Sequence, residues 1–363
     1  MGITYCLSEW VAVSGASREN DTSFIYEPKH QTTDRCCMTT SSILIQGQWK
    51  SSTGTETFNA YSPATGEALT ESFPVSPWSE VEAAIKAAAA AFEEVKTWPG
   101  ERFAQFLEAY ATEIEALADE LVAAAHEETG YPVSPRLKDV ELPRTTNQLR
   151  LAAKAARTGS WKQPTIDSAS NIRSEFGPLG PVVIFGPNNF PFAFNGISGG
   201  DFAAAVAAGN PVIAKGHPAH PQTTCLFAQA AQTAADKTEM PAGFVQLIYQ
   251  LDYADGEKLV SHPLIGASAF TGSRKGGLAL KAAADKAGKP IYLELSSINP
   301  IFILEGALAE KGDALVDEFV TSCLMGTGQF CTNPGLVILP KSDLADKFVN
   351  GVKEKFAAAP AGT

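Results

Sequence analysis

The chain has 363 residues, which at roughly 150 per domain makes two or three domains and a core large enough to need neither disulfide nor metal staples. Apolar residues at 45%, charged residues at 19% and no apolar run of the ~18 residues that a bilayer span requires point to a soluble globular chain rather than a membrane protein. Twenty-eight basic against 40 acidic side chains leave a net charge of -12 with no compensating basic patch, which argues against nucleic acid as a partner.

Residues 1–37 show no useful periodicity and end in the pair Cys36-Cys37. They lack the basic start, apolar stretch and small-residue cleavage site of a secretory signal. They read as a poorly ordered extension, either a stretch from an upstream start codon, with Met38 as the true start, or a disordered arm. Cys6, Cys36, Cys37 and Cys225 sit in no zinc-like spacing, and a reducing, cytoplasmic setting is expected.

A strand-like Ile43-Leu44-Ile45 and a turn before Trp49 open the ordered chain. Ser79 and Glu82 then suggest a capping box, followed by Val81, Ile85, Ala88, Phe92 and Val95 at spacings of 4, 3, 4 and 3. Pro99-Gly100 stops that helix. A second one is expected through Phe103, Leu107, Tyr110, Ile114, Leu117 and Leu121, with Glu108, Glu113, Asp119 and Glu120 on its solvated face.

After Pro178 short apolar runs alternate with amphipathic or Ala-rich stretches. The runs are Val182–Phe185, Val212–Ala214, Val245–Tyr249, Ala267–Phe270 and Ile291–Leu293. That alternation predicts an α/β fold with a doubly wound parallel sheet, Rossmann-like, whose ligands bind outside the carboxyl ends of the strands. No G-x-G-x-x-G follows any strand. Instead Phe270-Thr271-Gly272-Ser273-Arg274-Lys275-Gly276-Gly277 turns into a helix, able to offer backbone N–H groups to a diphosphate or simply to cap that helix.

Four segments in order carry the most information: Gly186-Pro187-Asn188-Asn189-Phe190-Pro191, the Phe270–Gly277 turn, Leu293-Glu294-Leu295-Ser296-Ser297 with Asn299-Pro300, and Gly328-Gln329-Phe330-Cys331. From about Ile43 onward the chain resembles the aldehyde dehydrogenase superfamily. The wording of Asn189–Phe194, Lys215-Gly216-His217-Pro218 and Gln329–Gly335 is similar to the branch holding 2,5-dioxovalerate (α-ketoglutaric semialdehyde) dehydrogenases and NADP-dependent fatty aldehyde enzymes. The resemblance implies domains at 38–298, helices plus a dinucleotide-binding domain, and at 299–363, the first part of a catalytic domain. It also implies a homo-oligomer.

Oxidising an aldehyde to an acid needs a nucleophile, an oxyanion donor, a hydride acceptor and a base for water, and no metal. A lone cysteine is usually a small buried apolar residue, but the ordered motifs point to Cys331 as the nucleophile, with Cys323 in an apolar run as core. Asn189 is the expected oxyanion donor, while its neighbour Asn188 only turns the chain. Glu294, ending an apolar strand, is the expected base, its pKa raised by desolvation. Its presence argues against acyl-CoA-forming relatives.

For the cofactor, the resemblance implies contacts from Phe185, Gly186, Lys215, His217, Gly272, Ser273 and Gly277. Family members that prefer NAD carry an acid where this chain has Pro218, so NADP is expected first and NAD second, with Lys215 and His217 attracting the 2'-phosphate. Arg274 and Lys275 at a helix N-terminus, where cations are unfavourable, agree with nearby anions or form a solvated pair. Arg144 and Gln148 at i, i+4 lie on the helix similar to the family's aldehyde entrance and suit a distal carboxylate. The family's later Glu-x-Phe-Gly-Pro segment does not occur before Thr363, so a chain folded over its cofactor half but inactive is expected. A silent cofactor-binding protein and a fatty aldehyde dehydrogenase are the alternatives.

Overall fold

A computed structural model describes residues 41–360. The expected 1–37 extension, Met38 and Cys6, Cys36 and Cys37 lie outside the described residues. The described chain divides between Ser296 and Ser297 into two compact units.

The larger unit opens with the hairpin β1 (Ile43–Ile45) and β2 (Gln48–Lys50), followed by a second hairpin, β3 (Thr57–Tyr61) and β4 (Ala68–Pro74). Three helices follow, α1 (Trp78–Val95), α2 (Gly100–Ala116) and α3 (Ala118–Thr129), then a π-helical segment Val133–Glu141 and α4 (Leu142–Thr158). A short exposed hairpin, β5 (Thr165–Asp167) and β6 (Ile172–Ser174), leads into the alternating part. There β7 (Val182–Phe185), α5 (Gly200–Ala207), β8 (Val212–Lys215), α6 (Pro221–Lys237) and β9 (Val245–Ile248) are followed by α7 (Tyr253–Val260), β10 (Ala267–Gly272), α8 (Arg274–Lys286) and β11 (Ile291–Leu295).

The sheet runs β11-β10-β7-β8-β9-β1-β2; its first five strands are parallel and β1 is antiparallel to β9. All four residues of β7 are buried, as a strand covered on both faces requires. Strand order reverses between β7 and β10, which makes their carboxyl ends the ligand crevice of a doubly wound fold.

Two local expectations fail. The Ser79/Glu82 capping box does not form, because extended Pro77 already starts the helix at Trp78, which leaves Ser79 inside the first turn. Glu82 instead accepts from Trp78 Nε1 at 2.7 Å and pairs with Lys86 at 3.0 Å. The long second helix breaks at Leu117, whose N–H is shared between the Glu113 and Ile114 carbonyls at 3.2 Å, so two helices replace one. Glu108, Asp119 and Glu120 are exposed as expected, whereas Glu113 is half-buried and pairs with Lys237 at 2.6 Å; α2 is also tied to α4 through Arg157 with Glu101 and Glu108 and through Arg150 with Glu115.

The N-terminus of α6 is capped from a distance. Glu128 of α3, buried, accepts from the Gln222 N–H at 2.7 Å and from the N–H and hydroxyl of Thr223 at 2.9 and 2.7 Å. Burial pushes this carboxyl up to about 8 despite the three donors. Glu128→Ala strands two helix N–H groups and a hydroxyl, and is expected to lower unfolding free energy by about 2 to 4 kcal/mol. Urea denaturation checks this, and a loss under ~0.5 kcal/mol contradicts it.

The smaller unit holds β12 (Pro300–Phe302), α9 (Glu305–Lys311), α10 (Asp313–Leu324), β13 (Leu336–Ile338) and α11 (Asp343–Ala358), with β12 parallel to β13. Val316, Phe319 and Val320 of α10 are buried against Phe348 and Val352 of α11 in a core of their own, while Leu324 at the end of α10 is exposed.

Candidate active site

At the carboxyl end of β7 the chain must turn sharply back over the sheet. Gly186 permits this: a Cβ there would lie 2.6 Å from the Gly196 nitrogen and 2.7 Å from the Phe194 carbonyl oxygen. The returning segment, 186–199, carries Asn189 in a bend, half-buried. A buried ion pair that no sequence pattern announced holds it in place. Arg136 Nη2 donates to the Asn189 carbonyl at 2.9 Å, and Glu141 Oε1 accepts from the Phe192 and Ala193 N–H groups at 2.8 and 3.0 Å. The two charges pair at 3.3 Å, and the guanidinium lies over the Phe190 ring at 4.2 Å. Burial raises the Glu141 carboxyl, and Arg136 and the two N–H groups pull against that rise. Asn195 adds a brace, its amide donating to the Pro191 carbonyl and the Thr224 hydroxyl, both at 2.9 Å.

The neighbouring strand ends carry the expected cofactor residues together. Phe185 stands opposite both Lys215 and Phe270 in register, and its ring lies 6.0 Å from that of Phe270. Lys215 makes no ion pair among the described residues, and burial lowers its ammonium to about 8. A desolvated ammonium without a counter-ion fits a ligand bearing phosphate or ribose hydroxyls. Ser273 caps α8, its hydroxyl accepting from the Gly276 N–H at 3.2 Å. Gly272 has no room for a Cβ beside the Phe270 ring, at 3.0 Å. Gly277 meets Leu295 in the same way, so strand and helix approach closely.

His217 corrects one expectation. Burial first, then His220 and Lys215, holds its imidazole well below the usual range, so at neutral pH it carries no charge to attract a phosphate. Its Nδ1 accepts from the Ala219 N–H at 3.1 Å, which leaves Nε2–H as a neutral donor. His220, stacked on it at 5.2 Å, is pushed down to about 4 and donates from Nε2 to the Pro187 carbonyl at 2.9 Å.

Glu294 stands at the carboxyl end of the edge strand β11, opposite Thr271. It is exposed, not desolvated as expected, because the period-2 pleat puts it on the open face with Tyr292 while Leu295 packs toward α8. Arg144 and Gln148 of α4 face the 186–199 segment. One Gln148 N–H is committed to the Ala193 carbonyl at 3.1 Å. Arg144, exposed and without an ion pair among the described residues, lies over the Phe194 ring at 4.9 Å.

In the smaller unit Cys331 is a half-buried free thiol in the loop between α10 and β13. Gly328, at φ 71, supplies a left-handed turn just before it. Asn299 donates from Nδ2 to the Cys331 and Asn333 carbonyls, a contact the motif reading did not foresee. Cys323 is half-buried, and burial pushes its thiol up to about 11. Among the described residues no cluster of His, Cys, Asp and Glu is arranged to hold a metal ion. No described helix is long and apolar enough to cross a membrane.

The sequence pattern described as "Aldehyde dehydrogenase family" matches residues 49–363. Alpha-ketoglutaric semialdehyde dehydrogenase 2 of Azospirillum brasilense is 44% identical over 318 residues, covering 84% of this chain and 60% of that protein. Alpha-ketoglutaric semialdehyde dehydrogenase of Acinetobacter baylyi is 39% identical over 291 residues, covering 77% of this chain and 54% of that one. The chain thus spans less than two thirds of the length of these curated relatives. Among solved structures, an aldehyde dehydrogenase from Bartonella henselae superposes with a TM-score of 0.78 at 23% identity, covering 89% of this chain and 65% of that one. Aldehyde dehydrogenase C of Pseudomonas syringae, solved with NAD+ and octanal, gives 0.76 at 23%, covering 88% and 62%. At such identities these two speak for the fold.

Proposed function

The chain belongs to the aldehyde dehydrogenase family, whose members act on aldehydes with NAD(P), and on that premise we propose that it oxidises α-ketoglutaric semialdehyde to the dicarboxylic acid, with NADP preferred. The observation that carries the substrate is the 44% identity, over 84% of the chain, to a protein of that name. Arg144, without an ion pair among the described residues and on the face of α4 toward the Asn189 loop, supports a substrate with a distal carboxylate over a fatty aldehyde.

The Cys331 thiolate adds to the aldehyde carbon, forming a C–S bond as the carbonyl π pair moves onto oxygen. Asn189 donates its side-chain amide to that oxyanion, held by the Arg136–Glu141 pair so that little reorganisation is needed as charge develops. The dinucleotide, when bound, supplies the acceptor for the hydride that leaves the adduct. Lys215 and the neutral Nε2–H of His217 would hold its ribose and phosphate groups, and the backbone N–H groups at the α8 N-terminus would suit its diphosphate. Glu294 then takes a proton from water, whose oxygen attacks the thioester carbonyl and expels the Cys331 thiolate. Its exposure gives water ready access.

The test uses a version extended to the length of the curated relatives, and compares α-ketoglutaric semialdehyde with a long-chain aldehyde, each with NADP and NAD, by formation of the reduced dinucleotide. A higher kcat/KM for the long-chain aldehyde overturns the substrate reading, and no turnover with either dinucleotide overturns the activity. Pro218→Glu is expected to move the preference toward NAD, because a carboxylate there repels a 2'-phosphate by on the order of 1 to 3 kcal/mol, or ~5- to 150-fold in kcat/KM. An unsubstituted chain that favours NAD overturns the preference.

A further inference from the structure

We propose that Asn299 is a positioning residue for the nucleophile, its side-chain amide fixing the backbone of the Cys331 loop. The proposal rests on Cys331 as the nucleophile. Asn299 immediately precedes β12 and has φ 43, a left-handed conformation that Asn tolerates better than most residues. From there Nδ2 donates to the Cys331 carbonyl at 2.6 Å and to the Asn333 carbonyl at 2.9 Å, which uses both N–H bonds of the amide.

Met325–Gly328 is a short irregular turn with positive φ at Gly326, Thr327 and Gly328, and Cys331 lies in no strand or helix. Other ties in the loop are polar as well, among them Asn333 Nδ2 to the Cys323 carbonyl at 2.7 Å, the Asn333 N–H to the Phe330 carbonyl at 3.0 Å, the Gln329 N–H to the Gly326 carbonyl at 3.1 Å and the Gly335 N–H to the Ile298 carbonyl at 2.9 Å. One of the two Asn299 bonds reaches the carbonyl of Cys331 itself, and a nucleophile displaced by ~1 Å loses on the order of 100-fold in rate.

Backbone conformation alone is the competing explanation for an Asn here, and two substitutions separate the roles. Gly and Asp both accept positive φ; Gly removes the amide, and Asp turns acceptor oxygens toward the two carbonyls. In Asn299→Gly and Asn299→Asp of the full chain, amide hydrogen exchange over residues 329–335 is expected to rise at least ~10-fold while α10 and α11 stay within about twofold of wild type. Turnover should lose at least ~10-fold in kcat with the aldehyde KM within about threefold, a split that a general loss of fold does not produce. Exchange over 329–335 like wild type in either variant, or acceleration spread equally through α10 and α11, overturns the proposal. Cys331→Ala is assayed in parallel. Retained turnover there removes the nucleophile reading and, with it, the purpose assigned to the clamp, whereas a dead Cys331→Ala beside unaffected Asn299 variants overturns the clamp alone.

Discussion

In a version extended to the length of the curated relatives, Cys331→Ala is expected to abolish aldehyde-dependent reduction of the dinucleotide, by at least ~10⁴-fold in kcat, because without a thiolate no covalent adduct forms from which hydride can leave. Glu294→Gln is expected to behave differently: a first burst of reduced dinucleotide, about one equivalent per site, and then a stall at the thioester, since the amide keeps the shape of the side chain but takes no proton from water. Rapid mixing separates the two phases. Cys323→Ala is the matched control, for that thiol is pushed up to about 11 and is expected to leave turnover within about twofold of wild type. Equal steady turnover in Cys331→Ala or Glu294→Gln removes that residue from its role.

The parallel strands were the most legible part of the fold. Val182–Phe185 and Val245–Ile248 are short apolar runs because helices cover both faces of the sheet, and burial on both sides leaves its mark in composition. Helix boundaries were less legible. The Ser79/Glu82 spacing is that of a capping box, yet Pro77 fixes the start two residues too early for Ser79 to cap, and nothing in 113–121 marks the break at Leu117. The candidate catalytic residues lie in local motifs and could be read directly. Their supports could not: Arg136 meets the Asn189 carbonyl across 53 residues, Glu141 meets the Phe192 N–H across 51, and Asn299 meets the Cys331 carbonyl across 32. The charge state of His217 escaped the sequence for a related reason, since burial beside His220 and Lys215 is a property of the fold and not of the Lys-Gly-His-Pro string.

Asn189→Ala is expected to lower kcat by ~10²- to 10³-fold, about 2.7 to 4 kcal/mol of transition-state stabilisation, with little change in aldehyde KM, because its amide bonds more strongly to the developing oxyanion than to the neutral carbonyl. The Arg136–Glu141 pair gives a second handle on the same effect. Glu141→Ala frees the Phe192 and Ala193 N–H groups and leaves Arg136 buried without its carboxylate, so the 186–199 segment loses two of its anchors and Asn189 loses its fixed position. Breaking such a buried pair also costs stability, on the order of 3 to 5 kcal/mol, so the variant is assayed only at temperatures where circular dichroism shows it folded. If the pair acts through Asn189, the double substitution Asn189→Ala with Glu141→Ala should be no slower than Asn189→Ala alone. Multiplying losses would instead show that Glu141 supports some other part of the reaction, and an Asn189→Ala enzyme with wild-type kcat would leave the oxyanion to a different donor.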